Sequence, residues 1–129
     1  MYISNFFIDV PAFAGCAVSV HHYEQDYEVL RPGEHIGMAL GILLNNVVSL
    51  EYDKLLVSNI DTRIGDRVSV ALLHSGSNLE ICIPYAKVGD PIYYSKKDGH
   101  LKLTGKKKRY VGRCLREADE EGWCIITLC

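Results

Sequence analysis

Residues 86–128 read AKVGDPIYYSKKDGHLKLTGKKKRYVGRCLREADEEGWCIITL, and this stretch decides the fold class. Short apolar runs alternate with turn residues. The reading is a strand at Pro91–Ser95, a tight turn at Lys96–Gly99 and a second strand at His100–Thr104. A basic loop (Gly105–Arg109), a third strand (Tyr110–Arg116), an acidic turn (Glu117–Gly122) and a last strand (Trp123–Leu128) follow. Asp98-Gly99 is a hairpin signal, because glycine takes the positive φ that the turn demands. Gly112, inside a strand, implies a bulge or a close backbone approach. Nothing in the stretch resembles a catalytic centre, so binding and holding are expected rather than turnover, and the chain is not expected to be an enzyme.

Working back toward the N-terminus, the rhythm continues. Leu79–Ile83 alternates and is ended by Pro84, and Ser75–Asn78 reads as a hairpin-type turn. Arg67–Leu73 reads as a half-buried strand with Val68, Val70 and Leu72 inward. Val47–Tyr52 and Leu55–Ile60 are expected strands. Glu34–Leu44 is expected to be extended or bent, a short helix being the alternative, since Gly37 and Gly41 each weaken a helix by about 1 kcal/mol relative to alanine. Arg31-Pro32-Gly33 is turn chemistry. Residues 1–30 read as an extended arm, with a short strand at Ala17–Val20 and a polar surface stretch at His21–Glu28. Apolar Phe6, Phe7 and Ile8 need a partner in the body or in another subunit, which makes them candidate partner contacts. Turn signals every eight to twelve residues mark an all-β fold, a small antiparallel β-sandwich or barrel with an extended N-terminal arm and at most one short helix. The expected division is an arm over 1–30 and a single β-rich domain over 31–129.

The chain has 129 residues, 48% hydrophobic content and a formal net charge of −2. That is enough for one core without staples. The charge gives no global field for nucleic acid or an anionic membrane. No run approaches the roughly 18 apolar residues of a membrane span. The apolar N-terminus lacks a basic lead and is interrupted by Asp9 and Pro11, so a secretory signal is not expected. Cys16, Cys82, Cys114, Cys124 and Cys129 include no C-x-x-C pair, which argues against structural zinc. The plain reading is small buried hydrophobes in a reducing compartment. The odd count leaves open a disulfide between chains, for which Cys16 and Cys129 are the candidates.

Three polar clusters carry the remaining chemistry. His21, His22, Glu24 and Asp26 are the densest set of metal-type ligands, and in a strand His22, Glu24 and Asp26 would share a face. Paired histidines on a polar surface more often bind nothing, and neither metal nor cofactor is expected. Asp119, Glu120 and Glu121 sit on a short turn and read as solvated. The run Lys106-Lys107-Lys108-Arg109, with Lys96, Lys97 and Lys102 near in sequence, is the strongest charge feature. It suits an acidic protein surface; with Tyr93, Tyr94 and Tyr110 close by, a small β-barrel nucleic-acid-binding module is the alternative.

The string GDPIYYSKKDGHLKLT…YVGRCLREADEEGWCIITL resembles the C-terminal half of the small tailed-phage capsid cement, or head decoration, proteins. The matching residues are Gly89, Asp90, Pro91, Ile92, Tyr93, Gly99, Leu101, Leu103, Thr104, Val111, Gly112, Ile126 and Leu128, and GDRVSVALLHSG (65–76) fits the family's preceding strand. The resemblance covers about residues 65–128; the N-terminal arm and residues 33–60 do not match, and the five cysteines are unusual for the family. It implies a β-rich virion protein without an active site, assembled in the host cytoplasm and bound to the capsid exterior. The implied partners are the major capsid protein and further copies of itself, as a trimer or another small homo-oligomer.

Overall fold

The computed structural model describes residues 6–48 and 61–129. Its strands are β1 (Phe6–Ile8), β2 (Ala17–Tyr23), β3 (Glu28–Pro32), β4 (Gly41–Leu43), β5 (Asn46–Val48), β6 (Asp61–Arg63), β7 (Val70–Leu72), β8 (Asn78–Cys82), β9 (Pro91–Tyr94), β10 (Leu101–Lys102), β11 (Tyr110–Arg116) and β12 (Trp123–Leu128). Among the described residues the helical element is a 3-10 turn at Lys107–Arg109. The fold is all-β, as expected. One five-stranded sheet has the order β1-β3-β2-β4-β7, a second has the order β10-β9-β11-β12-β8, and β5-β6 form a parallel pair.

The second sheet follows the alternation in the sequence. In β12, Cys124, Ile126 and Leu128 are buried while Trp123 is exposed, and in β8 Ile81 is buried between exposed Glu80 and Cys82. This is the period of two that a half-buried strand requires. β9 and β10 form the hairpin predicted from Asp98-Gly99, with Gly99 at φ 73°. Gly112 serves both of its expected purposes. The β9–β11 register shifts between Tyr110 and Gly112, and a Cβ there would overlap the Thr127 carbonyl oxygen.

The first sheet departs from the simple pattern because both of its faces are covered. Ala17, Ile42 and Ala71 point into a core shared with Ile92, Tyr94, Val111 and Ile126 of the second sheet. Val18 and Leu43, one residue further along, point into another core with Ile8, Leu30, Val47 and Val68. A sheet buried on both sides gives a continuous apolar run, not an alternating one. This corrects the reading of Arg67–Leu73. Ala71 is buried and Leu72 is 46% exposed, the reverse of the expected inward set at these two positions. The turn at Ser75–Asn78 likewise does not close a hairpin. It carries the chain from β7 in one sheet to β8 in the other, and β8 pairs with β12.

The described part of the expected arm lies within the body. Residues 6–32 supply β1, β2 and β3; β1 runs parallel to β3, pairing Phe6 with Glu28 and Ile8 with Leu30. Phe7 also bridges Arg67, and the Val68 N–H donates to the Phe6 carbonyl at 3.0 Å, so the sheet curls back on itself. Apolar side chains that lack neighbours in sequence find them across this curl. Residues 34–44 are extended, ending in β4, with no helix. The Val47–Tyr52 strand is met in part by β5; the remainder of it, and the strand expected at Leu55–Ile60, lie outside the described residues.

Two turns clamp the sheets together. The Ala17 N–H donates to Gly99 O at 2.8 Å, the Gly33 N–H to Ala17 O at 2.9 Å and the Glu34 N–H to Lys96 O at 2.9 Å. Gly33 has φ 86°, and a Cβ there would lie 2.6 Å from the carbonyl oxygens of Lys96 and Lys97. Only glycines allow the Arg31–Gly33 and Lys96–Gly99 turns to approach this closely. Their contact places Glu34 over the second sheet.

Candidate functional site

Glu34 anchors an enclosed polar group. Its Oε1 accepts from the Tyr94 hydroxyl at 2.7 Å and from Arg109 Nε at 3.0 Å, and its Oε2 accepts from Arg109 Nη2 at 3.3 Å. The side chains of Arg109 and Glu34 are 8% and 12% exposed. Tyr94 in turn accepts the Ala39 N–H at 3.1 Å. Burial alone would raise the Glu34 carboxyl, but the hydrogen bonds from Tyr94 and Arg109 and the guanidinium charge together hold it below its ordinary range. Burial, then the Glu34 contact, pushes the Tyr94 hydroxyl up to about 12. These residues are a strut between the sheets. Arg109, expected as a partner contact, is therefore corrected: it is a buried structural cation, because the 3-10 turn points it inward.

Lys106, Lys107 and Lys108 remain exposed on the same loop. Near them, Tyr93 and Tyr110 pack edge-to-face with centroids 5.9 Å apart. Of the apolar candidates, Ile8 is fully buried within its own chain and is not available to a partner. Phe6 and Phe7 are half-buried; Phe7 packs on Tyr27 at 4.8 Å.

The histidine cluster is drawn together by a bulge in β2 between Val20 and His22. His21 Nδ1 and His22 Nδ1 are 2.8 Å apart, so one of them must carry the proton. His21 also meets Arg31 at 3.1 Å, while Arg31 is held by Asp9 through two bonds of 2.8 Å. Partial loss of water and the Arg31 charge, followed by His35 and His22, lower the His21 pKa. His22 lies 3.3 Å from Glu24. Among the described residues no group of three or more His, Cys, Asp or Glu side chains is arranged to hold a metal ion.

The five thiols separate into two classes. Cys114 and Cys124 are buried and Cys16 is half-buried; burial pushes the thiols of Cys16 and Cys124 up to about 11. Cys129 is exposed, with its Sγ 3.1 Å from the Tyr110 hydroxyl. Cys82 is exposed too, which sequence reasoning missed by treating it as an apolar strand residue. The alternation of Leu79, Ile81 and Ile83 already places it outward. The hydrogen bonds of the described residues join no thiol or serine hydroxyl to a histidine ring.

One concave feature was not foreseen at all. A groove of about 970 Å³ runs between β8, the end of β4, the 11–16 loop and the head of β10. Its rim carries Phe13, 83% exposed, with Trp123 at 40% and Leu44 at 39%. Phe13 sits between Pro11 and Gly15, and an aromatic residue inside turn chemistry is the one sequence signal that could have marked it.

A solved structure, the head fiber gp8.5 N base in bacteriophage phi29, shares this fold with a TM-score of 0.53 at 13% sequence identity; the match covers 97% of this chain and 91% of that one. No family model matches the chain. No curated protein matches it either.

Proposed function

We propose that this chain is a virion structural protein of a tailed phage, attached to the outside of the head. The observation that carries the reading is the shared fold, over nearly the full length of both chains, with the base of a phage head fiber. The exposed apolar rim of the groove supports it, because a protein that holds onto a shell needs desolvated contact area more than a reactive centre. In its finer form, the chain docks on major capsid subunits and reinforces their contacts, as a small homo-oligomer. This is the role implied by the sequence resemblance to cement proteins.

Antibody raised against the purified chain should decorate the exterior of intact particles of the phage that encodes it. The chain should also sediment with DNA-filled heads. Absence from purified particles, or labelling only after the shell is opened, would overturn the proposal.

A further inference from the structure

The sheet edges of this fold are not equally protected. β10 is two residues long and carries Lys102, and β7 is three residues long. β1 is covered by the bridge to Arg67. Short, charged or covered edges resist pairing with other chains. β8 is different: it has five residues, pairs with β12 on one side only, and borders the groove along its whole length.

The β8–β12 register fixes which backbone groups are free. The Leu128 N–H donates to Ser77 O and the Ile83 N–H to Gly122 O, so the odd-numbered residues of β8 bond to β12. By the alternation of an antiparallel ladder, the N–H and C=O groups of Asn78, Glu80 and Cys82 face away from β12. Among the described residues none of these groups has a backbone partner. Leu79 and Trp123 offer apolar surface beside them. The charged side chains in the groove lining are Glu80 and Asp98, with His100 alongside and no lysine or arginine. Glu80 has one weak exposed contact, to Arg116 at 3.7 Å.

We propose that β8 is a strand-addition site that takes an extended segment of another protein, alternating apolar side chains with basic ones. Main-chain bonds to Asn78, Glu80 and Cys82 would supply the pairing, the groove would take the apolar side chains, and a lysine or arginine would sit opposite Glu80. A second copy of the chain is the poorer occupant. Antiparallel pairing of two β8 edges centred on Glu80 sets the two glutamates directly opposite each other, which is destabilising.

The probe is a fluorescein-labelled peptide of alternating valine and lysine, titrated with purified chain and followed by anisotropy. Binding is expected at micromolar to submillimolar concentration. It should be lost when the peptide backbone is N-methylated on its pairing edge, and absent for a peptide alternating valine and glutamate. Glu80→Pro removes an outward N–H without touching the β12 ladder and should weaken binding at least tenfold. Glu80→Lys keeps the backbone and should do the same, with circular dichroism confirming that both variants fold. No binding up to about 1 mM, equal binding of the N-methylated peptide, or equal binding to both variants would overturn the proposal. So would a wild-type dimer that Glu80→Pro converts to monomer, since a second copy would then be the occupant. Peptide binding and particle labelling are read separately: loss of the first leaves virion attachment standing, and loss of the second leaves the strand site standing.

Discussion

Glu34→Ala tests the strut between the sheets. The substitution removes the carboxylate that Arg109 and Tyr94 share and leaves a guanidinium whose side chain is 8% exposed without its counter-charge. Removing one partner of a buried ion pair costs about 3–5 kcal/mol, because the remaining charge stays desolvated. A domain of 129 residues has an unfolding entropy near 0.27 kcal/mol/K, at about 2.1 cal/mol/K per residue, so the expected fall in Tm is about 11–18 °C. The assay is thermal unfolding followed by circular dichroism at pH 7. The double variant Glu34→Leu with Arg109→Met should recover most of the loss, since an apolar pair of similar volume is often neutral or stabilising. The pH dependence has a definite sign. The folded carboxyl lies below its ordinary value of 4.5, so its contribution is present above that value and is lost as pH falls through the folded pKa. Glu34→Gln should therefore lose less stability than the wild type between pH 5 and pH 3. A loss below about 1 kcal/mol for Glu34→Ala, or a double variant no better than the single one, would refute the reasoning.

Ile8→Ala should destabilise the isolated chain by about 2–5 kcal/mol, as expected for a fully buried isoleucine; an unchanged Tm would mean that β1 is a free arm in solution. Gly112→Ala forces a Cβ onto the Thr127 carbonyl between β11 and β12, so unfolding should begin at a lower denaturant concentration; an unchanged midpoint would show that the strands can separate at no cost. Under native conditions a maleimide should label Cys82 and Cys129 and spare Cys114 and Cys124, as mass spectrometry of the digested protein would reveal; equal labelling of all four would contradict the burial.

The second sheet was legible because each of its long strands buries one face. In Trp123–Leu128 the buried positions are two apart, and the strand bounds of β11 and β12 coincide with those read from the sequence. The first sheet was less so, because β1, β4 and β7 are only three residues long and the sheet lies between two cores. A three-residue strand such as Gly41–Leu43, buried throughout, has no period to detect. The parallel pairing of β1 with β3 is set by contacts across the curl, which no local signal encodes. Arg109 fails for the same reason. Beside three lysines it looks like one more solvated cation, and its partner Glu34 is 75 residues away.

The positions that escaped the sequence reading bear on how the chain attaches to anything. With Arg109 held inside, the basic loop offers only Lys106, Lys107 and Lys108, each on a flexible, well-hydrated side chain, and exposed ion pairs of this kind contribute about 0.2–1 kcal/mol apiece. Phe13, Trp123 and Leu44 line one groove beside the unpaired edge of β8, and an aromatic side chain buries about 150–250 Å² when it is covered, worth roughly 25 cal/mol per Å². On magnitude alone the groove outweighs the lysines as a source of affinity. The edge of β8 adds direction to that apolar area, because main-chain bonds fix the path of an incoming segment where hydrophobic contact alone would not.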